Sequence, residues 1–254
     1  PTGSGKTECA TIPIFSKLKT RKIPNKIKAL YITPLRALNR DIFKRIINYA
    51  KNEELKIEIR HGDTSQANRK RIADSPPDIL ITTPETLVNL LSQKKHLEAL
   101  SDLEWVIIDE VHELLASERG SQLSLSLERL QVNTKNEIHR IGLSATVGNS
   151  EELANWLDAK LIKSTWRPVS LEYGILNGLE VSIHRIDSRK KEENPKNRLI
   201  EGRVTQKLSA VLEDTVKSNG QLLIFVASRA SAQKEARDLA KYVMKKSEIE
   251  ESIW

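Results

Sequence analysis

Short apolar segments alternate along this sequence with longer segments of helical periodicity, and this alternation constrains the fold more than any other feature. Each apolar segment is long enough for one buried strand, and polar or turn-forming residues follow it. Such alternation is typical of α/β proteins, in which parallel strands form a sheet that helices cover. The segments with this character are KALYIT (Lys28–Thr33), KIEIR (Lys56–Arg60), DILIT (Asp78–Thr82), WVIID (Trp105–Asp109) and HRIGLS (His139–Ser144).

The segments between these strands include two clear helix candidates, Glu85–Leu91 and Gln122–Leu130. In the second candidate, Leu123, Leu127 and Leu130 are spaced i, i+4, i+7, which places them on one helical face. The sequence therefore predicts a parallel sheet flanked by helices.

The pattern changes near Trp166. The segments RPVSLEYGIL and LEVSIHRI alternate apolar and polar residues, which predicts antiparallel strands with one exposed face. The charged stretch from Arg185 to Arg203 contains an Asn-Pro pair, and we expect it to be a linker or an exposed turn.

The last part of the chain has the pattern of a second α/β lobe. Val204–Lys217 is predicted to be a helix that ends at SNG, where Gly220 suits the left-handed cap position. Gln221–Val226 is predicted to be a new strand, and Ala230–Met244 a new helix.

Composition excludes several classes of protein. No apolar run among the 254 residues approaches the roughly 18 residues of a membrane span. Cys9 is the only cysteine, which excludes an intrachain disulfide and a cysteine-rich metal site and favours a reducing, intracellular setting. We expect a cytoplasmic location, with association with the nucleoid as an alternative.

The net charge of +7 is compatible with nucleic-acid binding but is common in proteins that bind none. One local run carries six positive charges and no acidic residue. We interpret it either as a solvated loop or as an edge that contacts phosphate. Its members are Lys17, Lys19, Arg21, Lys22, Lys26 and Lys28.

The first seven residues, PTGSGKT, have the character of a loop that wraps a phosphate. Glycines let backbone amides point at the phosphate, Lys6 would reach the β- and γ-phosphates, and the Thr7 hydroxyl would ligate magnesium. The full pattern, G-x-x-x-x-G-K-[ST], has its first glycine one position before Pro1, so the motif is partial. The other predicted nucleotide-binding residues are Thr2, Gly3, Ser4 and Gly5.

Asp109 and Glu110 end the apolar strand WVII. In a phosphoryl-transfer site, the aspartate holds magnesium, and the adjacent glutamate positions and deprotonates the attacking water. Together with the loop upstream, this pair predicts a site of nucleotide hydrolysis.

His112 follows Asp109 by three positions in DEVHE, where its side chain would face the γ-phosphate and the neighbouring strand end. Ser144 and Thr146, in SAT, end that neighbouring strand. Their hydroxyls are expected to hydrogen-bond to His112 and Asp109, in a network that couples the phosphate state to movement between lobes.

Six motifs in order along the chain resemble those of superfamily 2 helicases of the DEVH-box type. They are PTGSGKT, TPLRAL, TTPE, DEVH, SAT and LIFVASR, similar to motifs I, Ia, Ib, II, III and IV. The resemblance covers nearly the whole chain. YITPLRALNRDI, HGDTSQANRKRI, PPDILITTPETL and ERGSQLSLSLERL further resemble the large-helicase-related (Lhr) family and its archaeal relatives.

The resemblance implies two RecA-like lobes, with ATP and Mg²⁺ in the cleft between them and a strand of DNA or RNA across both. Residues 1–165 would form the ATP-binding lobe, residues 166–203 a linker with strand segments, and residues 204–254 the start of the second lobe. Lys6, Asp109 and Glu110 would be catalytic. The implied activity is ATP-driven translocation on single strands and unwinding of duplexes.

The resemblance also assigns residues to contacts with the sugar–phosphate backbone, which position a strand without reading its sequence. Arg36 is suited to fork onto a phosphate, and the turn at Thr83 is expected to leave amides free for anions. The residues in these motifs are Pro34, Arg36, Gly62, Thr83, Pro84, Glu85, Ser228 and Arg229.

Too few residues follow Arg229 for motifs V and VI. Motif VI supplies the arginine fingers, a contribution worth about 10³–10⁵ in rate elsewhere. We therefore expect a fragment cut inside the phosphate loop and inside the second lobe, which binds nucleotide and nucleic acid weakly and turns over little ATP.

Two other hypotheses remain at this point. One is that this piece only clamps nucleic acid without turning over ATP. The other is a nucleotide-dependent switch or assembly ATPase that uses no nucleic acid, which TPLRAL, TTPE and SAT disfavour because a simple switch does not need them.

Overall fold

The five apolar segments form one parallel sheet, which confirms the predicted α/β architecture. Each strand is one or two residues shorter than predicted, because the polar residues at its ends belong to the flanking turns. The strands are β1 (Ala29–Ile32), β2 (Ile57–Arg60), β3 (Ile79–Thr82), β4 (Trp105–Ile108) and β5 (His139–Gly142).

This computed structural model describes residues 3–20, 23–115, 117–145, 148–164, 166, 171–185, 196–203 and 206–251. Within it the chain divides into two units, Pro1–Pro168 and Val169–Trp254. The predicted division into residues 1–165, 166–203 and 204–254 stays a prediction.

The strand order of the first unit is β2-β3-β1-β4-β5. In register, Ile32 at the end of β1 lies opposite Thr82 of β3 on one side and Ile108 of β4 on the other. Because all the strands run parallel, their carboxyl ends meet at one edge of the sheet. The turns that follow the strands therefore converge at that edge.

Helices cover both faces of the sheet, and the alternation of side chains along each strand decides which residues each face receives. Leu30 and Ile32 of β1 pack into one core cluster, whereas Ala29 and Tyr31 pack into the other. Every residue of β1 is buried, which explains why a central strand reads as a continuous apolar run.

The helices of the first unit follow the strands in sequence, and none of the described helices combines the length and apolar character needed to cross a membrane. The second predicted helix is longer than expected at both ends. These helices are α1 (Lys6–Lys19), α2 (Arg36–Asn52), α3 (Gln66–Asp74), α4 (Pro84–Leu91), α5 (Lys94–Ala99), α6 (His112–Leu115), α7 (Glu118–Asn133) and α8 (Ser150–Leu157).

The four described members of the basic run each contact another residue of the first unit, and whether the run contacts phosphate stays a prediction. Lys28 is fully buried, with its Nζ 3.5 Å from Asp78 Oδ1. Lys26 Nζ lies 3.2 Å from Asp102 Oδ2, and Lys19 pairs with Glu53. Lys17 Nζ stands 5.0 Å from the ring centre of Trp105. Arg21 and Lys22 lie outside the described residues.

The second unit begins with an antiparallel sheet of order β6-β7-β8, as the alternating segments predicted. Its strands are β6 (Glu172–Asn177), β7 (Glu180–Arg185) and β8 (Lys196–Leu199). The expected linker from Arg185 to Arg203 is partly wrong, because β8 lies within it and pairs with β7 through Ile183 and Lys196. Two helices follow, α9 (Lys207–Lys217) and α10 (Arg229–Glu251).

Two predictions for this unit are wrong. Gln221–Val226 is not a strand, because none of the described residues pairs with it, and Phe225 is 87% exposed. The left-handed residue after α9 is Asn219, with φ of 56°, rather than Gly220. An asparagine tolerates this conformation because its short polar side chain bonds locally.

A buried arginine and a buried histidine lie in contact at the end of β2. Arg60 Nη1 lies 2.6 Å from His96 Nε2, and both residues are more than nine-tenths buried. The imidazole accepts from the guanidinium only when it is neutral. Burial, followed by the charges of Arg60 and Lys95, lowers the pKa of His96 to about 4.

We predict that His96 makes stability fall with acidity. Its pKa is lower in the folded protein than in the unfolded chain, so its contribution is complete above the unfolded value of about 6.5 and is lost as pH falls towards 4. His96→Gln keeps an acceptor for Arg60 but does not titrate. Urea denaturation between pH 7 and 4 should show a loss of stability smaller by about 1–3 kcal/mol in this variant. An equal loss in both proteins would contradict the prediction.

Candidate active site

The phosphate-loop segment forms a turn that leads directly into α1. Gly3 and Gly5 both have φ of 75°, a left-handed conformation that residues with a Cβ rarely adopt. Gly5 is the N-cap of α1, so the first turn of the helix begins directly after the loop. Such a helix start favours anions because unpaired N–H groups and the helix dipole act together. Thr2 lies outside the described residues.

Tyr31, which sequence reasoning missed, connects this loop to the acidic strand end. Its hydroxyl donates to Asp109 Oδ2 at 2.7 Å, and the Thr7 hydroxyl lies within hydrogen-bonding range of the same phenol oxygen. Burial and then the charge of Asp109 raise the pKa of Tyr31 well above its ordinary value, so the phenol stays protonated. The available signal in the sequence was a single hydroxyl within an otherwise apolar strand.

Asp109 has a donor on each carboxylate oxygen. Its Oδ2 accepts from Tyr31, and its Oδ1 accepts from the backbone N–H of Glu110 at 2.9 Å. The residue is 8% exposed, and its own N–H donates to Ile32 O in the neighbouring strand. These bonds fix the orientation of the carboxylate at the sheet edge.

Glu110 differs from its neighbour in both backbone and side chain. Its φ is 43°, which is uncommon for a residue with a side chain and costs about 1–3 kcal/mol. Its Oε2 is buried and has no hydrogen-bond partner among the described residues. Strained backbone and unsatisfied buried polar atoms are concentrated at functional sites. The fold therefore holds this carboxylate in place but leaves one of its oxygens without a hydrogen bond from the described residues.

His112 and Ser144 come together as the sequence led us to expect. Ser144 Oγ lies 2.8 Å from His112 Nδ1, and the same nitrogen is 3.4 Å from Glu110 Oε2. The two strand ends are also joined by the bond from Val111 N–H to Leu143 O. Thr146 lies outside the described residues. The coupling role of these residues stays a prediction.

The donors at the sheet edge fit a magnesium ion held with few protein ligands. Mg²⁺ prefers oxygen ligands and is commonly bound through one or two side chains together with phosphates and water. Thr7 and Asp109 offer a hydroxyl and a carboxylate, and Tyr31 lies between them. No cluster of three or more histidine, cysteine or acidic residues that could hold a metal occurs within the described ranges.

The turn after β3 differs from expectation. Thr83 is the N-cap of α4, and Pro84 is its first residue. Burial opposes ionisation of Glu85, but bonds from Arg119, from its own N–H and from the Thr83 hydroxyl lower its pKa. The amide of Glu85 is thus engaged by its own carboxylate, so the prediction that the amides of this turn are free is wrong for that amide.

The other residues predicted to contact nucleic acid lie in three places. Pro34 follows β1, and Arg36 begins α2. Gly62 lies after β2, where its carbonyl accepts from Arg69 Nη2. In the second unit, Ser228 Oγ accepts from the N–H of Ser231 at 3.1 Å, immediately before Arg229 begins α10.

Cys9 lies in α1 close to the loop but is exposed rather than packed. The Glu8 side chain, beside it, pairs with Arg45 of α2 at 2.7 Å. This pair ties the start of α1 to the helix that follows β1.

Known proteins match both the sequence and the fold. Residues 1–153 match the DEAD/DEAH box helicase family. The chain is 34% identical to the ATP-dependent helicase Lhr-Core of Saccharolobus solfataricus, over 95% of this chain and 28% of that protein. It is also 34% identical to the ATP-dependent DNA helicase Hel308 of Methanococcus vannielii, over 96% of this chain and 31% of that protein.

Among solved structures, the fold is similar to that of Mycobacterium smegmatis helicase Lhr bound to ssDNA and AMP-PNP. The TM-score is 0.69 at 27% identity, over 97% of this chain and 32% of that chain. The chain thus spans less than a third of the length of each of these relatives.

We predict that Tyr31→Phe lowers the free energy of unfolding by about 1–3 kcal/mol, because a buried carboxylate loses a hydrogen-bond donor. The matched control is Tyr49→Phe, at an exposed tyrosine, which should change stability by less than about 0.5 kcal/mol. Urea denaturation at pH 7 measures both. Equal stabilities of the two variants would show that the bond from Tyr31 to Asp109 contributes nothing.

Proposed function

The chain belongs to the DEAD/DEAH box helicase family, and on that premise we propose that it is the ATP-hydrolysing part of a nucleic-acid helicase or translocase. The observation that carries the proposal is the contrast between Asp109 and Glu110. One carboxylate is bonded on both oxygens and tied to the phosphate loop, and the other has a buried oxygen that accepts no hydrogen bond from the described residues. These two environments suit a magnesium ligand and a group that positions the attacking water.

Each residue of the site has a role that its geometry supports. The amides at the start of α1 and the Lys6 ammonium bind phosphate. Thr7 and Asp109 would hold Mg²⁺, which when bound offsets charge on the phosphates. Glu110 orients a water molecule and accepts its proton at Oε2. The fixed orientation of the Glu110 carboxylate suits this role because a general base must lie within hydrogen-bond reach of the proton that it removes from water.

His112 and Ser144 are proposed to couple nucleotide state to motion. Their hydrogen bond joins the segment after β4 to the segment after β5, and Glu110 Oε2 lies 3.4 Å from the same histidine nitrogen. A change in the contacts of Glu110 during hydrolysis therefore acts on the Ser144 bond. Thr146 is included in this proposed network on the motif alone.

Single-stranded or partly duplex DNA or RNA is the proposed track. Two relatives are named ATP-dependent helicases, and the third was solved with ssDNA. The turns after β1, β2 and β3 lie at the same sheet edge and would contact the sugar–phosphate backbone. We propose an intracellular site of action because nucleic acid is the track. The residues proposed to contact it are Pro34, Arg36, Gly62, Thr83, Pro84, Ser228 and Arg229; Glu85, from the same motif, is engaged by Arg119.

The decisive experiment compares ATPase rates of the protein at its full natural length with and without single-stranded DNA, single-stranded RNA and a hybrid duplex. We expect at least one nucleic acid to raise the rate several-fold, because a motor couples hydrolysis to its track. Lys6→Ala provides the blank. Intact basal turnover with no stimulation by any of them would support a nucleotide-dependent switch instead.

A second experiment tests the assigned base. Glu110→Gln keeps the shape of the side chain but cannot take a proton, so it should retain ATP binding and lower the hydrolysis rate by about 10²–10⁴. Glu118→Gln makes the same chemical change at an exposed position eight residues later and should stay within about twofold. A near-normal rate in Glu110→Gln would mean that another group activates water.

A further inference from the structure

We propose that Arg119 is a positioning residue that holds two nucleic-acid-contacting turns in place, an inference that rests on the proposed function. Its Nε donates to Glu85 Oε1 at 2.5 Å, and its Nη2 donates to Pro34 O at 2.5 Å. One guanidinium thus joins the turn after β1 to the turn after β3. Arg119 lies in the segment ERGSQLSLSLERL, which resembles the Lhr family, but the sequence assigned it no role.

The position of Arg119 suits this role. It is the second residue of α7, a helix that packs on α4, and its side chain is 33% exposed. The turns it joins follow adjacent strands, since Ile32 and Thr82 are partners in the sheet. A planar fork with fixed donor directions constrains two acceptors at once, which a single point charge does not.

The contact between Arg119 and Glu85 also offsets a negative charge. Glu85 lies in the first turn of α4, facing the edge where phosphates are proposed to bind. An unpaired carboxylate there would repel a phosphate. Arg119 offsets that charge, and its bond is among those that keep the pKa of Glu85 low. We therefore assign Glu85 to the framework of the turn rather than to direct contact with the strand.

Arg119 is also close in sequence to the hydrolysis site. It follows Glu110 by nine positions, and only α6 and a short turn separate it from His112. The segment that carries the proposed base therefore continues directly into the residue that holds the two turns. Displacement of this segment would move the guanidinium relative to Pro34 and Glu85.

The same helix offers a matched control. Arg129 lies further along α7, and its Nη2 donates to Leu91 O at 2.8 Å, at the opposite end of α4. Both arginines thus link α7 to α4, but Arg129 does so through one backbone carbonyl at the end away from the proposed track. Loss of either arginine removes a contact between α7 and its surroundings, and only Arg119 joins the turns.

The test measures binding of a fluorescent single strand to the protein at its full natural length, at fixed salt. We expect Arg119→Gln to bind about tenfold more weakly, and Arg129→Gln to remain within about twofold of the unsubstituted protein. In ATPase assays, the strand concentration for half-maximal stimulation should rise by the same factor, while the rate at saturating strand is retained. A merely structural role would change both parameters, or both arginine variants alike.

Two further variants keep the test decisive. Arg119→Lys, for use if Arg119→Gln does not fold, keeps the charge but not the fork and should lose about threefold. Glu85→Gln added to Arg119→Gln removes the unpaired carboxylate and should recover part of the lost affinity. Unchanged binding in Arg119→Gln, or no recovery in the double variant, would overturn the inference alone. If the unsubstituted protein binds no strand, the proposed function fails and the inference with it.

Discussion

The parallel direction of all five strands in the first unit is the constraint on which the site depends. Parallel strands place every carboxyl end at one edge, so residues far apart in sequence become neighbours without any long-range loop. Asp109 follows β4, Pro34 follows β1 and Glu85 follows β3. The central position of β1 between β3 and β4 brings the turn that faces the proposed track next to the turn that faces the nucleotide. One sheet edge is thus proposed to serve two kinds of ligand.

Within that edge, hydrogen bonding gives the two adjacent acidic residues different environments, which suit different proposed functions. Asp109 is fixed by Tyr31 and by the N–H of Glu110, so its geometry is set before any ligand arrives. Glu110 retains a buried oxygen that the described part of the protein does not satisfy. The Glu110 side chain is 34% exposed, but its buried oxygen without a hydrogen bond is costly, and the left-handed backbone at the same residue adds to that cost. An energetic cost of this kind is expected where the missing hydrogen-bond partner is a substrate.

The sequence predicted the first unit well because each of its strands is marked by a short local pattern of residues. A buried parallel strand is a short apolar run with polar ends, and the five runs became the five strands. The motifs were equally local, and the resemblance to superfamily 2 helicases that they carry is confirmed. The failures arise where structure depends on partners. Gln221–Val226 is apolar enough for a strand, but an apolar run forms a strand only beside a neighbour. Likewise, the pairing of β8 with β7 was hidden by a charged composition that suits an exposed strand as well as a linker.

Tyr31 and Arg119 were missed for a related reason. Both lie within segments that resemble the Lhr family, but neither was assigned a role, because each acts by contact with residues distant in sequence: Tyr31 with Asp109, Arg119 with Pro34 and Glu85. Their chemistry was visible in the sequence, but their partners were not. The basic run illustrates the opposite error. Its six positive charges have no acidic residue among them in the sequence, but they include Lys28, which the fold buries against Asp78.

The charged residues of this protein therefore indicate its ligands only once their ion-pair partners are known. The net charge of +7 does not distinguish a nucleic-acid motor from other basic proteins. Lys19, Lys26 and Lys28 are engaged by carboxylates of the same unit, so they contribute less than their number suggests to attraction of a strand. At the sheet edge the balance is reversed, because an acidic residue, Glu85, is the one whose charge must be offset. Under the proposed function, the affinity of this edge for phosphate depends less on how many cations the chain carries than on whether Arg119 keeps that one carboxylate engaged.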